Sequence, residues 1–148
     1  MPYPTTIKDC MRRKPLTVRA DDSLVSAIDL ISEYKLTGLT VTDESGKVVG
    51  VLSEIDCIES ILGAIYNDGD PDHLKVSEAM TAEVLTCGPG DSIIDVAQAM
   101  LKTRQRRRPV VAEGKLVGQV SSSNVLWALM EHSRRHLRQP HLSRPPRK

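Results

Sequence analysis

Gly46-Lys47-Val48-Val49-Gly50-Val51-Leu52-Ser53-Glu54-Ile55-Asp56 returns 68 residues later as Gly114-Lys115-Leu116-Val117-Gly118-Gln119-Val120-Ser121-Ser122-Ser123-Asn124. Upstream of this block the correspondence continues at an offset of 69, one residue having been gained or lost in the turn. Ile7-Lys8-Asp9-Cys10-Met11 meets Val76-Ser77-Glu78-Ala79-Met80, Leu16-Thr17 meets Leu85-Thr86, and Asp22-Ser23-Leu24 meets Asp91-Ser92-Ile93. Each unit is about 50 residues long and there are two of them, fewer than the three or more a solenoid needs. Two copies imply a pseudo-twofold pair packed face to face.

The local pattern within each copy predicts the same succession of elements: strand, helix, strand, strand, helix. Asp22 or Ser23 can cap a helix whose apolar face is Leu24, Ala27, Ile28, Ile31 and Tyr34. The second copy repeats this with Asp91 or Ser92 ahead of Ile93, Val96, Ala97, Met100 and Leu101. Strands are expected over 39–43 and 48–52, and again over 110–112 and 116–120. Each pair is joined by a turn in which Gly46 or Gly114 supplies a positive φ. Ser53 and Ser121 then open the last helix of each copy. The expected organisation is therefore a first domain over 1–66, a linker over 67–75 rich in turn formers, a second domain over 76–137, and a basic tail over 138–148. The tail holds three prolines and four basic residues and is expected to be disordered.

Composition narrows the class. The 148 residues include no Phe, one Trp and three Tyr, so the core must be built from aliphatic residues and Met. Met11, Met80, Met100 and Met130 are expected to fill core or interface gaps. Aromatic scarcity also argues against single-strand nucleic-acid binding, which stacks bases on aromatic platforms. The net charge of +1 is unevenly placed. Residues 132–148 carry six basic residues and no acid, whereas residues 1–131 carry 14 basic and 19 acidic ones, a net −5. Three scattered cysteines, Cys10, Cys57 and Cys87, do not suggest a disulfide framework and point to a reducing compartment. No apolar signal core opens the chain and no apolar run reaches a membrane span, so a cytoplasmic, membrane-free protein is expected.

Catalytic and metal patterns are weak. Asp68, Asp70 and Asp72 have the alternation of a calcium loop, but His73 stands where that loop needs Gly and Ala79 where it needs Glu. His132 and His136 lie four apart without the intervening Glu of a zinc protease. Ser121-Ser122-Ser123 is not a nucleophile elbow. No metal site and no enzyme activity are expected.

The paired blocks, with their repeated lead-ins and element order, resemble the CBS domain, named after cystathionine beta-synthase, over about residues 7–131. The resemblance implies an α/β (α+β) fold of two pseudo-twofold-related CBS repeats, each a small sheet packed on two helices: a Bateman module, here of the free-standing kind. It further implies a homodimer that regulates an unknown target protein and binds an adenosine nucleotide between its repeats. The ligand would be AMP, ADP or ATP, with S-adenosylmethionine as an alternative, and no cofactor is required.

In the family, a Gly-x-x-Ser/Thr-x-x-Asp segment of one repeat faces two segments of the other. The Asp takes the ribose hydroxyls and the Ser/Thr faces phosphate at a helix N-terminus. Gly50, Ser53 and Asp56 match this pattern. Their opposing segments would be Leu85-Thr86 and Arg104-Gln105-Arg106-Arg107-Arg108-Pro109, where Arg104, Arg106 and Arg107 are placed to meet phosphate. The backbone near Leu85 and Val110 would meet adenine. The other cleft would combine Gly118, Ser121 and Asn124 with Thr17, Lys35 and Gly38. It is expected to be weaker, because Asn124 replaces the ribose Asp, Thr40 replaces the customary Pro, and Lys35 is its one cation. Other readings are a module with empty clefts that serves protein interaction, and nucleic-acid binding by the basic tail.

Overall fold

Serine caps start the helices of both repeats, and an aspartate ahead of each cap closes the preceding turn. Ser23 Oγ accepts from Ser26 N at 3.3 Å, and Ser92 Oγ accepts from Ile94 N at 3.2 Å. The neighbouring Asp22 carboxylate instead accepts from Arg19 N, and Asp91 accepts from Gly88 N, each at 2.8 Å. The aspartate therefore closes the turn and the serine starts the helix in both copies.

The computed structural model describes residues 4–137, with side chains to residue 134; the tail over 138–148 lies outside them. The elements are β1 (Arg12–Arg13), β2 (Thr17–Arg19), α1 (Leu24–Glu33), β3 (Gly38–Thr42), β4 (Val48–Ser53), α2 (Glu54–Tyr66), α3 (Val76–Ala79), α4 (Ile93–Thr103), β5 (Arg107–Ala112), β6 (Lys115–Ser121) and α5 (Ser122–Leu137). One sheet has the order β2-β3-β4, with β2 parallel to β3 and β4 antiparallel to it. The other has the order β1-β6-β5, all antiparallel. Gly46 and Gly114 turn the hairpins at φ 88° and 78°, a region that costs glycine nothing. The result is the expected α+β architecture of two similar lobes.

Several elements differ from expectation. β5 begins at Arg107, so much of the arginine run is strand. The strand expected at Leu85-Thr86 contracts to one bridge, Cys87 to Val110, where the first repeat has all of β2. Tyr34 caps the C-terminus of α1 and is 55% exposed, because the chain turns left-handed at Lys35 and leaves the helix there. Leu101 is 77% exposed, away from the core side of α4.

The lead-in segments carry the two lobes' connection. Ile7, fully buried, packs with Cys87, Ile93, Val96, Val110 and Val120, which belong to the second repeat. Val76, also fully buried, packs with Val18, Leu24, Leu39, Val41 and Leu52 of the first. The hydrogen bonds exchange in the same way: Ile7 N donates to Asp91 O at 3.0 Å, and Val76 N donates to Asp22 O at 2.9 Å. Met11 and Met80 seal the exchange by lying against Gly118 and Gly50, where an added Cβ would come within 2.7 and 2.6 Å of the sulfurs. Each core is thus completed by a segment that sequence assigns to the other repeat.

Cutting Ile7 back to Ala leaves a cavity in the second lobe's core, and buried Ile→Ala changes cost about 2–5 kcal/mol. Urea denaturation of Ile7→Ala should show a loss in that range and a lower midpoint; a loss under about 1 kcal/mol would mean that the segment does not complete the core.

Candidate functional site

Two clefts are defined by the places where the chain crosses between lobes. Residues 14–16 run from β1, in the second lobe's sheet, to β2, in the first. Residues 82–86 make the reverse crossing. Thr81 pairs with Val51 at the edge of β4, and Cys87 pairs with Val110 of β5. The second crossing begins beside the N-terminus of α2, and the first passes Gly38 and Arg107 at the starts of β3 and β5.

Asp56 lies beside the second crossing. Its carboxylate accepts from Ser53 N at 3.0 Å, while Ser53 Oγ accepts from Asp56 N at 3.1 Å, a capping box that opens α2. The Thr81 hydroxyl approaches both Asp56 oxygens, at 3.4 and 3.5 Å. The carboxylate is only partly buried and keeps acceptor capacity beyond these contacts. Leu85 and Thr86 are exposed on the crossing. Pro109 and Val110 are buried, with Pro109 O accepting from Cys87 N at 3.0 Å. Arg104 caps α4 in the left-handed conformation and, like Arg106, is exposed.

Arg107 points elsewhere. Its Nη1 donates to Gly38 O at 2.9 Å and its Nη2 donates to Thr37 Oγ1, so the side chain reaches into the first repeat. Burial lowers the guanidinium's pKa, while the nearby Glu54 carboxylate raises it; the group stays charged in any case. Arg108 is buried and satisfied by Gln105 Oε1 at 2.9 Å and by Thr103 Oγ1 at 3.4 Å, so it faces neither cleft freely.

The other crossing borders an open cleft of about 130 Å³, whose walls include Arg12, Lys14, Leu16, Tyr34, Gly38 and Arg107. Gln119 of β6 closes one side. Of the residues expected there, Gly38 lines it. Lys35 does not, although Tyr34 and Leu36 on either side of it do. Thr17 is exposed and pairs with Thr40 in the β2–β3 ladder. Ser121 and Asn124 reproduce the capping box at the start of α5: Asn124 Oδ1 accepts from Ser121 N at 3.0 Å, and Ser121 Oγ accepts from Asn124 N at 3.1 Å. Asn does the capping work of Asp56 without its charge.

Sequence reasoning passed over Arg12, Lys14, Tyr34 and Thr81. The repeat alignment itself contains the missing signal, since Arg12-Arg13-Lys14 of one crossing stands where Thr81-Ala82-Glu83 stands in the other.

Among the described residues, the thiols are poor nucleophiles. Cys10 and Cys87 are pushed up to about 11 by burial, and Cys57 is raised by the same cause. Among the same residues there is no cluster of His, Cys, Asp or Glu suited to a metal, and no helix long and apolar enough to cross a membrane. A cavity of about 300 Å³ is an apolar groove between α4 and α5 lined by Met100, Leu101, Leu126 and Leu129. It offers no charge for a polar ligand.

The CBS domain family profile matches residues 7–63 and again residues 76–131. CBSX2, a chloroplastic CBS domain-containing protein of Arabidopsis thaliana, is 32% identical over 155 aligned positions, which take in 87% of this chain and 65% of that protein. The crystal structure of CBSX2 in complex with AMP superposes with a TM-score of 0.76 at 30% identity, over 90% of this chain and all of that one. Protein MJ1426 of Methanocaldococcus jannaschii is 30% identical, over 84% of this chain and 90% of that protein. The CBS domain pair of protein MJ0100, crystallised with 5′-methylthioadenosine and S-adenosylmethionine, superposes with a TM-score of 0.72 at 25% identity, over 87% of this chain and 98% of that one.

The raised thiols make stability fall at high pH. Folded Cys10 and Cys87 hold their protons up to about 11 against an ordinary 9.0. The folded state therefore binds more protons between those values, and the stability they contribute is present below pH 9 and lost as pH rises through about 11. The urea midpoint should decline across that window and should decline less in Cys87→Ser; an identical decline in that variant would refute the assignment.

Proposed function

Because the chain belongs to the CBS domain family, with two copies of the domain in tandem, we propose that it is a regulatory module that binds an adenosine nucleotide at the junction of its repeats. The observation that carries this reading is the half-open Asp56 carboxylate, set at the N-terminus of α2 and touching Thr81 where the chain begins its crossing to the second lobe. A carboxylate accepts hydrogen bonds only and can take both ribose hydroxyls. The helix N-terminus and the Ser53 hydroxyl favour an anionic group beside it. Exposed Leu85 supplies apolar surface for the base. AMP in CBSX2, and the adenosine derivatives in the MJ0100 pair, support adenosine as the shared element. AMP, ADP, ATP and S-adenosylmethionine are the candidates.

Ligand occupancy would be relayed through the crossings. A ligand shifts a conformational equilibrium only by its differential affinity for the two arrangements. A molecule seated on Asp56 of the first lobe and on the crossing that leads to Cys87 in the second would touch both lobes at once and favour the arrangement that brings them together. The role is binding and regulation of a target protein, without catalysis, in a cytoplasmic setting that suits three free thiols.

The repeat supplies its own control for testing Asp56. Asn124 forms the same capping box, so Asp56→Asn should keep the fold while removing the charge. Calorimetric titration should show binding of AMP or another of the four candidates to the wild type. In Asp56→Asn the ligand held at Asp56 should weaken about tenfold or more, the scale of one charge-assisted hydrogen bond, with the melting temperature of the unliganded protein unchanged. Failure of all four to bind the wild type would overturn the nucleotide reading.

The partner surface is apolar. α2 exposes Ile55, Ile58, Leu62 and Ile65, and α5 exposes Leu126 and Trp127. Exposed apolar helix residues of this kind suit association, and a twofold homodimer is the commonest closed solution. Light scattering should give a dimer mass for the wild type and a monomer for Ile58→Glu combined with Leu62→Glu. Trp127 fluorescence should red-shift in the monomer. A monomeric wild type would count against dimerisation through this face.

A further inference from the structure

We propose that the two clefts sort adenosine ligands by charge: the cleft bounded by Arg12, Lys14 and Arg107 takes the polyphosphate, and the Asp56 cleft takes the ligand of low charge. This rests on the nucleotide reading above. Three cations line the first cleft, and no acid is among its wall residues, with the Glu54 carboxylate offsetting part of the charge on Arg107. The repeat relation carries each wall position to a counterpart at the other crossing. Thr81 stands in the place of Arg12, and Glu83 in the place of Lys14. By this relation Glu83 and Asp56 bring negative charge to the second crossing where Lys14 is a cation and Asn124 is neutral. A triphosphate would meet attraction on one side of the molecule and repulsion on the other.

Arg107 makes the division asymmetric. Its counterpart is Gly38, where a Cβ would sit 2.6 Å from Leu52 O, so no side chain can project from that position without moving the strand. The Arg107 guanidinium therefore has no counterpart at position 38, and it lines the first cleft. Hydrogen bonds to Gly38 O and Thr37 Oγ1 occupy two of its five N–H donors and fix its plane. The remaining donors are left for an anion, already oriented, which lowers the ordering cost of binding. Thr37 is a positioning residue for Arg107.

The test is calorimetry with ATP and with adenosine on the full chain. Arg12→Thr with Lys14→Glu copies onto the first cleft the residues of the other crossing. It should weaken ATP about tenfold or more, the scale expected for lost charge-assisted contacts, and leave adenosine within about twofold. Asp56→Asn should do the reverse. Thr37→Val should weaken ATP and Thr37→Ser should restore it, which a general packing role would not produce. Glu83→Lys should tighten ATP. If the double variant weakens ATP and adenosine equally, or leaves ATP unchanged, the sorting is overturned while nucleotide binding stands. If neither ligand binds the wild type, the nucleotide reading falls and the sorting with it.

Discussion

The exchange of lead-in segments is the constraint on which the rest of this molecule depends. Ile7 completes the core of the second lobe and Val76 that of the first, each fully buried and each tied by backbone hydrogen bonds to the Asp that precedes the opposite lobe's capping serine. Neither repeat can fill its own core. The two lobes must form together, and each must send a strand of chain across to the other. Those two crossings are the walls of the clefts. Sites at the junction are therefore a consequence of how the cores are completed, and a ligand bound there acts on the segments that hold the lobes together.

The same argument explains why the capping boxes matter twice. Ser53 with Asp56, and Ser121 with Asn124, satisfy backbone groups at the starts of α2 and α5 in matching geometry. For folding, Asp and Asn are equivalent there. For chemistry they are not, because a carboxylate brings charge and a second acceptor oxygen where the amide brings a donor. A position can be symmetric in structural role and asymmetric in ligand preference, and the departure from symmetry is confined to side-chain ends.

Arg107 shows where local reading stops. The run from Arg104 to Arg108 is visible in the chain, and its place before Pro109 marks it for one cleft. Each arginine then goes its own way. Arg104 turns out at a helix end, Arg106 stays in solvent, Arg108 is buried against Gln105 and Thr103, and Arg107 reaches Thr37 and Gly38 in the other repeat. Successive residues of a strand face opposite sides, and strand β5 begins inside this run. Where each guanidinium ends is set by strand phase and by neighbours 69 or 70 residues away.

The sequence by itself determined the twofold repeat, the α+β architecture, the serine-capped helices, the glycine turns and the Ser53–Asp56 helix start. All of these arise from periodicity and short-range hydrogen bonding within a few residues. Only the tertiary structure decided that Ile7 and Val76 serve the opposite lobes, that Thr81 meets Asp56, and that Arg12, Lys14 and Arg107 share one cleft. These depend on contacts between segments far apart in the chain, whose free energy comes from burying apolar surface jointly, and no local pattern states which partner will complete which core.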